Sequence, residues 1–118
     1  MATYYTSSHE WISVEGNLGT VGITEYARKE LGELVYVELP VINQKVTAGE
    51  AVCVLESTKA AVDVYSPMSG VVVAVNAEGC KENPAMVDWL FRIELSSPSD
   101  LHSLLSHDQY QAVLSPPL

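Results

Sequence analysis

Residues 54–67 read VLESTKAAVDVYSP. Apolar and polar side chains alternate on both sides of Lys59, in AVCVLE before it and VDVYS after it, as they do in half-buried strands. Lys59 therefore falls at the tip of a hairpin, with Glu56, Ser57 and Thr58 ahead of it and Ala60 and Ala61 behind. The chain has six basic residues among 118, and one of them stands where small neighbours leave it open. A lone surface lysine is ordinary. A lysine on a rigid tip, by contrast, offers its amine to another protein's active site with little steric hindrance. No His, Cys or second Lys stands beside it to activate the amine for Schiff-base chemistry. The setting suits a lysine that is modified rather than one that catalyses.

The same patterning continues in both directions. Pro67-Met68-Ser69-Gly70 is a turn signal, and SGVVVAVNA is the next strand. GEAVCVLE from Gly49 resembles SGVVVAVN around Gly70, with Lys59 near the midpoint, a weak internal similarity. Upstream, INQKVTAGEAVCVLES contains a turn, a bend at Ala48-Gly49-Glu50 and a strand. ELVYVELP alternates, which places Leu34, Tyr36 and Glu38 opposite Val35, Val37 and Leu39 until Pro40 ends it. HEWISVEGNLGTVGIT predicts a hairpin: Trp11 to Val14, a turn at Glu15-Gly16-Asn17, then Leu18 to Ile23. TEYARKELG predicts a short helix with Thr24 as N-cap and Gly32 as stop, and with Tyr26, Ala27 and Leu31 on or near one face. WLFRIEL is the last strand. SPSDLHSLLSHDQYQAVL predicts one or two short helices over about 98–114, and SPPL cannot continue a helix. Many short strands with closely spaced turns make this a mainly β chain, a small β-sandwich or barrel with peripheral helices, in one domain over residues 1–118.

Composition narrows the function. Fifteen acidic residues face six basic ones, a net charge of −9. Nucleic acid is excluded as a partner, because phosphate binding needs clustered Lys and Arg. The acidity serves solubility, or it steers the chain toward basic docking surfaces. No run of 18 apolar residues is present, so no membrane span is expected. MATYYTSSHEW has neither the basic and apolar regions of a signal peptide nor the Arg-rich character of a transit peptide, which makes the cytoplasm the expected compartment. Cys53 and Cys80 lie far apart with no CxxC and no His pair, so a metal site is not expected and both read as small buried hydrophobes. His9, His102 and His107 lack ligand spacing; the last two read as solvated helix residues.

With these residues in view, ESTKAAVDVYSPMSGVV resembles the lipoyl-attachment segment of the glycine cleavage system H protein family. YTSSHEW, GTVGITEYARKELGELVYVELP and SPSDLHSLLSHDQY are similar to the same family, so the resemblance covers nearly the whole chain. Lipoyl domains of 2-oxoacid dehydrogenases share the fold and a related lysine motif but not the SHEW or VGITEYA stretches. Biotin carriers usually flank their lysine with methionines, unlike Thr58 and Ala60.

The resemblance implies a lipoyl/biotinyl-carrier fold, a β-sandwich/barrel hybrid, and a carrier rather than an enzyme. Lipoate would be joined to Lys59 through an amide, removing its charge. The dithiolane would carry the chemistry and the protein would supply position and recognition. The implied partners are a pyridoxal-phosphate glycine decarboxylase, which loads an aminomethyl group, a folate-dependent aminomethyltransferase, and a flavin dihydrolipoyl dehydrogenase. A lipoate ligase or an octanoyl/lipoyl transferase would attach the cofactor, with Glu56 as an exposed recognition point. The aminomethyl cargo is labile in water and carries an ammonium. A cleft that excludes water and presents carboxylates would protect it. The family pattern puts Ser8, Glu10 and Asp63 in that role. For Glu10 and Asp63 the alternative is a solvated surface acid. Strand alternation turns His9 to the opposite face as a structural residue.

One stretch departs from the family. After ENPAMV the family has a longer loop with an Asn, a Pro-Tyr pair and a Gly before the Trp, whereas NPAMVDWLFRIEL runs almost directly to Trp89. A shortened surface loop leaves the fold intact. It keeps a second reading open, an H-like lipoyl carrier used in lipoate relay or another redox system. A third reading, an unmodified interaction module on the same fold, is opposed by the intact attachment segment.

Overall fold

The structure is a computed structural model that describes residues 2–84 and 87–114. Among the described residues nine strands form two antiparallel sheets. Six strands make the larger, in the order β1 (Ala2–Tyr5), β2 (Glu10–Glu15), β3 (Leu18–Ile23), β9 (Phe91–Leu95), β8 (Gly70–Val75) and β5 (Lys45–Val46). The smaller sheet is β4 (Leu34–Glu38), β6 (Ala51–Ser57) and β7 (Ala61–Tyr65). The helices are α1 (Glu25–Leu31), α2 (Ala77–Glu82) and α3 (His107–Leu114), with a 3₁₀ turn at Pro98–Ser103. The expected sandwich with small helices is what forms. The two Val-rich segments that resemble each other, β6 and β8, lie in different sheets.

The core joins the inner faces of both sheets. Ile12, Val21, Leu55, Val64, Met68, Val72, Phe91 and Ile93 are each at most 1% exposed. Each such side chain contributes about 1.5–3 kcal/mol by leaving water. The β2–β3 hairpin is closed by Gly16-Asn17, with Gly16 at φ 62 as the first central residue of a two-residue loop. Gly22 stands directly across from Trp11, and a Cβ there would lie 2.6 Å from the indole carbons. The missing side chain lets the indole lie on the strand, where Trp11 Nε1 donates to the Ile23 carbonyl at 3.0 Å.

Helix α1 has the expected ends. Thr24 Oγ1 accepts from Ala27 N at 3.3 Å, and Gly32, at φ 82, terminates the helix. Its face differs from the expectation. Leu31 is buried and Ala27 half-buried, but Tyr26 is exposed and sets its ring against His9, 4.5 Å between centroids. Strict alternation also fails in β4. Leu34 and Val37 are both buried, although strict alternation sets them on opposite faces, because a bulge between Leu34 and Tyr36 resets the pairing with β6.

Three elements carried no sequence reading: β1, α2 and the two-residue β5, which pairs with β8. β1 pairs along β2, with Tyr5 opposite Trp11. α2 is a short capped helix that buries Cys80; Asn76 Oδ1 accepts from Gly79 N at 3.2 Å. The last strand begins at Phe91 rather than Trp89. The SPPL terminus lies outside the described residues, as do Ala85 and Met86 ahead of Trp89.

Candidate functional site

The β6–β7 hairpin carries Lys59 at its tip, as the alternation predicts. Glu56 and Ala61 form the last facing pair, and Ser57 N donates to the Ala60 carbonyl at 2.8 Å. One hydroxyl orders the turn. Ser57 Oγ accepts from Lys59 N at 3.3 Å and from Ala60 N at 3.1 Å. Thr58 N donates to the Glu33 carbonyl at 3.2 Å, which ties the tip to the segment after α1. The Lys59 side chain runs over Gly32, its Cε 3.6 Å from where a Cβ would stand, an ordinary contact distance. Lys59 is exposed and makes no ion pair among the described residues.

The register places further groups on the same outer face. Tyr36, Glu56 and Ala61 form one cross-strand row, and Glu38, Val54 and Asp63 form the next. Glu38, Glu56 and Asp63 are exposed. Three carboxylates and no basic side chain occupy these two rows, beside the tip.

Glu10 is built in the opposite manner. It begins β2 and is only 2% exposed, so it is not a solvated acid. Oε1 accepts from Thr6 Oγ1 and from Ser8 Oγ, both at 2.6 Å. Oε2 accepts from the Tyr65 N–H at 3.4 Å, at the end of β7. No cation pairs with it among the described residues. The loop that makes this corner is tight: Thr6 N donates to the Glu10 carbonyl at 3.0 Å and His9 N to the Thr6 carbonyl at 3.1 Å. His9 adopts φ 73, a left-handed conformation uncommon for a residue with a side chain. It does turn away from the Ser8–Glu10 pair, but by this backbone twist rather than by strand alternation. Its Nδ1 lies 2.8 Å from Tyr110 Oη, and that hydroxyl lies 2.7 Å from Thr24 Oγ1. Burial pushes the Tyr110 phenol upward, the Thr24 bond opposing in part.

The structure thus brings Ser8 and Glu10 together and joins them to β7 through Tyr65. Lys59 sits at one end of β7 and Tyr65 at the other, six residues away, or about 20 Å along a strand. Asp63 lies between them. Thr6 and the Tyr65 amide are parts of the corner that sequence reasoning missed; an amide carries no residue signature, whereas Thr6 stands four places before Glu10. His102 and His107 are exposed, as expected, while Cys53 and Cys80 are both buried. A separate groove of about 1140 Å³, lined among others by Trp11, Tyr26, Trp89 and Arg92, contains none of the five candidate residues.

Comparison with known proteins assigns this architecture. The family described as Glycine cleavage H-protein matches residues 3–116. The chain belongs to this family. It is similar to the glycine cleavage system H protein of Bartonella tribocorum, 45% identical over 119 residues, covering 95% of this chain and 97% of that protein. It is 48% identical over 115 residues to the H protein of Alcanivorax borkumensis, covering 92% and 89%. Among solved structures, an H protein from Mycobacterium marinum superposes with a TM-score of 0.83 at 33% identity, over 93% of this chain and 94% of that one. The H-protein alignments run longer than the part of this chain they take in, 119 residues against 95% of 118 for the Bartonella protein, so that relative carries several residues this chain lacks.

Proposed function

We propose that this chain, as a single carrier domain, is the lipoyl carrier of a glycine cleavage system, with lipoate in amide linkage to Nζ of Lys59. The observation that carries the reading is an exposed lysine amine, without an ion pair among the described residues, on an ordered hairpin tip in a chain of the H-protein family. The tip fits the group: Ser57 fixes the turn, and the small Ala60 and Ala61 after the lysine leave the amine open. When bound, the lipoyl dithiolane supplies thiol–disulfide chemistry and carries the aminomethyl cargo of glycine. The chain's own residues position and protect. Glu10, out of bulk water, offers a carboxylate to the cargo's ammonium, Ser8 helps to hold that carboxylate, and Asp63 offers a second acid along β7. Glu56 is a recognition point for the attaching enzyme, a lipoate ligase or an octanoyl/lipoyl transferase.

No residue of this chain catalyses a step in this reading. The partners are a pyridoxal-phosphate glycine decarboxylase, a folate-dependent aminomethyltransferase and a flavin dihydrolipoyl dehydrogenase. The acidic outer face beside Lys59 suits basic docking surfaces on them. No described helix is long and apolar enough to cross a membrane, and we place the chain in the cytoplasm with these enzymes. The residues it lacks relative to the Bartonella protein favour one further reading, the same lipoyl carrier serving lipoate relay or another redox client.

Coexpression with a lipoate ligase and lipoate tests the attachment. The native chain gains one lipoyl mass, and Lys59→Arg gains none. A lipoyl group on Lys45 or Lys81, or on nothing, ends the proposal.

A further inference from the structure

We propose that Thr6 is a positioning residue for the cargo, acting through Glu10; this rests on the carrier reading above. The argument is one of proton and lone-pair accounting. The Thr6 hydroxyl accepts from the Glu10 backbone N–H at 3.1 Å and donates to Glu10 Oε1 at 2.6 Å. Its orientation is therefore fixed from both sides by the residue it serves. Ser8 Oγ donates to the same Oε1 at 2.6 Å. Each hydroxyl has one proton, and both protons point at Oε1. The 3.2 Å separation of Thr6 Oγ1 and Ser8 Oγ is then a contact between two donors to one acceptor, not a bond between them.

Oε1 is thereby occupied twice. Among the described residues Oε2 has only the Tyr65 amide, at the long distance of 3.4 Å. The clamp leaves one carboxylate oxygen under-coordinated and aims it toward β7, the strand that starts beside Lys59 and bears Asp63. A buried carboxylate oxygen with spare acceptor capacity and no cation beside it is the feature an ammonium would complete. Thr6 does not touch the cargo in this scheme. It fixes which oxygen is spent within the protein and which remains free. Ser8 is exposed and exchanges its bond with water, whereas Thr6 is half-buried and locked by the Glu10 amide, so Thr6 is the more consequential of the two donors.

The test uses lipoylated full-length protein, reduced and then loaded chemically with formaldehyde and ammonium. Hydrolysis of the loaded arm consumes one water and returns the thiol, formaldehyde and ammonium, so ammonium release is the readout. Thr6→Val should speed release by roughly tenfold or more, the low end of the worth of one hydrogen bond to a charged group. Thr6→Ser, which keeps the hydroxyl, should stay within about twofold of native on the same ground. A second readout needs no cofactor. In the unmodified protein, Thr6→Val should shift the Tyr65 amide resonance as the freed carboxylate turns, and Thr6→Ser should leave it in place. Glu10→Gln is the control. If Glu10→Gln speeds release and Thr6→Val does not, Thr6 has no positioning role while the carrier reading stands. If Glu10→Gln releases ammonium at the native rate, Glu10 is not the ammonium's partner and the proposal falls with that assignment.

Discussion

The lysine tip and the Glu10 corner carry opposite charges and are built by opposite means. The tip is exposed, and its turn closes between residues three apart: Ser57 Oγ with Ala60 N, Ser57 N with the Ala60 carbonyl. The corner is buried and draws on the whole chain. Its carboxylate needs Thr6 and Ser8 from one loop and Tyr65 from the other sheet, and its loop leans on Tyr110, 101 positions from His9. In the proposed carrier role, the cation offered to other enzymes stays in water and is held by a turn. A carboxylate meant to act out of water must have its desolvation offset by donors the fold delivers, since an unpaired buried charge is strongly unfavourable.

This contrast predicts unequal responses to the same substitution. Glu10→Ala should destabilise by about 2 kcal/mol, because two hydroxyls and an amide lose their acceptor at a nearly closed site. Glu56→Ala removes an exposed side chain from the tip strand and should stay within about 0.5 kcal/mol of native. Urea unfolding of both variants measures the difference. Equal midpoints would mean that the corner is held no more firmly than the tip.

The same contrast explains what the sequence reveals. The tip, the β2–β3 turn and both ends of α1 follow from adjacent residues whose chemistry is local: alternation around Lys59, Gly16 in a two-residue loop, Thr24 and Gly32 at the helix ends. Glu10 as a candidate came from the resemblance, while its burial came only from the structure, because no local pattern says that residue 65 will meet residue 10. His9 at φ 73 is likewise a consequence of the loop closing on Thr6 and of Tyr110 packing beside it. The bulge in β4 overrode the alternation that set Leu34 against Val37, and both side chains face the core. β1 has four residues and α2 six, too short for periodicity to identify.

A second difference lies further along the tip's own strand. β6 is exposed at Lys59's end but buries Cys53, whose thiol is pushed up to about 12, first by burial and then by Cys80 and Glu38 nearby. Burial raises Cys80 as well. In the unfolded chain a thiol ionises near 8.5. Above that pH the unfolded state binds fewer protons than the folded one, so stability falls as pH rises, until the folded thiol itself ionises. The slope should be about 1.4 kcal/mol per pH unit for a thiol held protonated. Urea unfolding at pH 8, 9 and 10 measures it against Cys53→Ala, which starts less stable but should lose less per unit. Parallel declines would show that the interior around β6 does not hold this thiol neutral.

The smallest effect on stability belongs to the tip's own hydroxyl. Ser57→Ala removes the acceptor for two backbone N–H groups, those of Lys59 and Ala60, and a donor to the Ala60 carbonyl at 3.2 Å. All of these groups reach water, which replaces the lost bonds, so the cost should be no more than about 0.5 kcal/mol. The strands on either side keep their pairing, and Thr58 remains tied to Glu33. What changes is the freedom of the turn. An attaching enzyme that receives an ordered tip loses less entropy on binding than one that must order it, and a side chain with its backbone set free costs on the order of 1 kcal/mol. Lipoylation of Ser57→Ala under limiting ligase should therefore slow by roughly fivefold while the melting temperature barely moves. The lipoyl mass gained at early times gives the rate directly. A native rate would mean that the enzyme grips the strands and Glu56 rather than the turn, and that the order of the tip serves the folded chain alone.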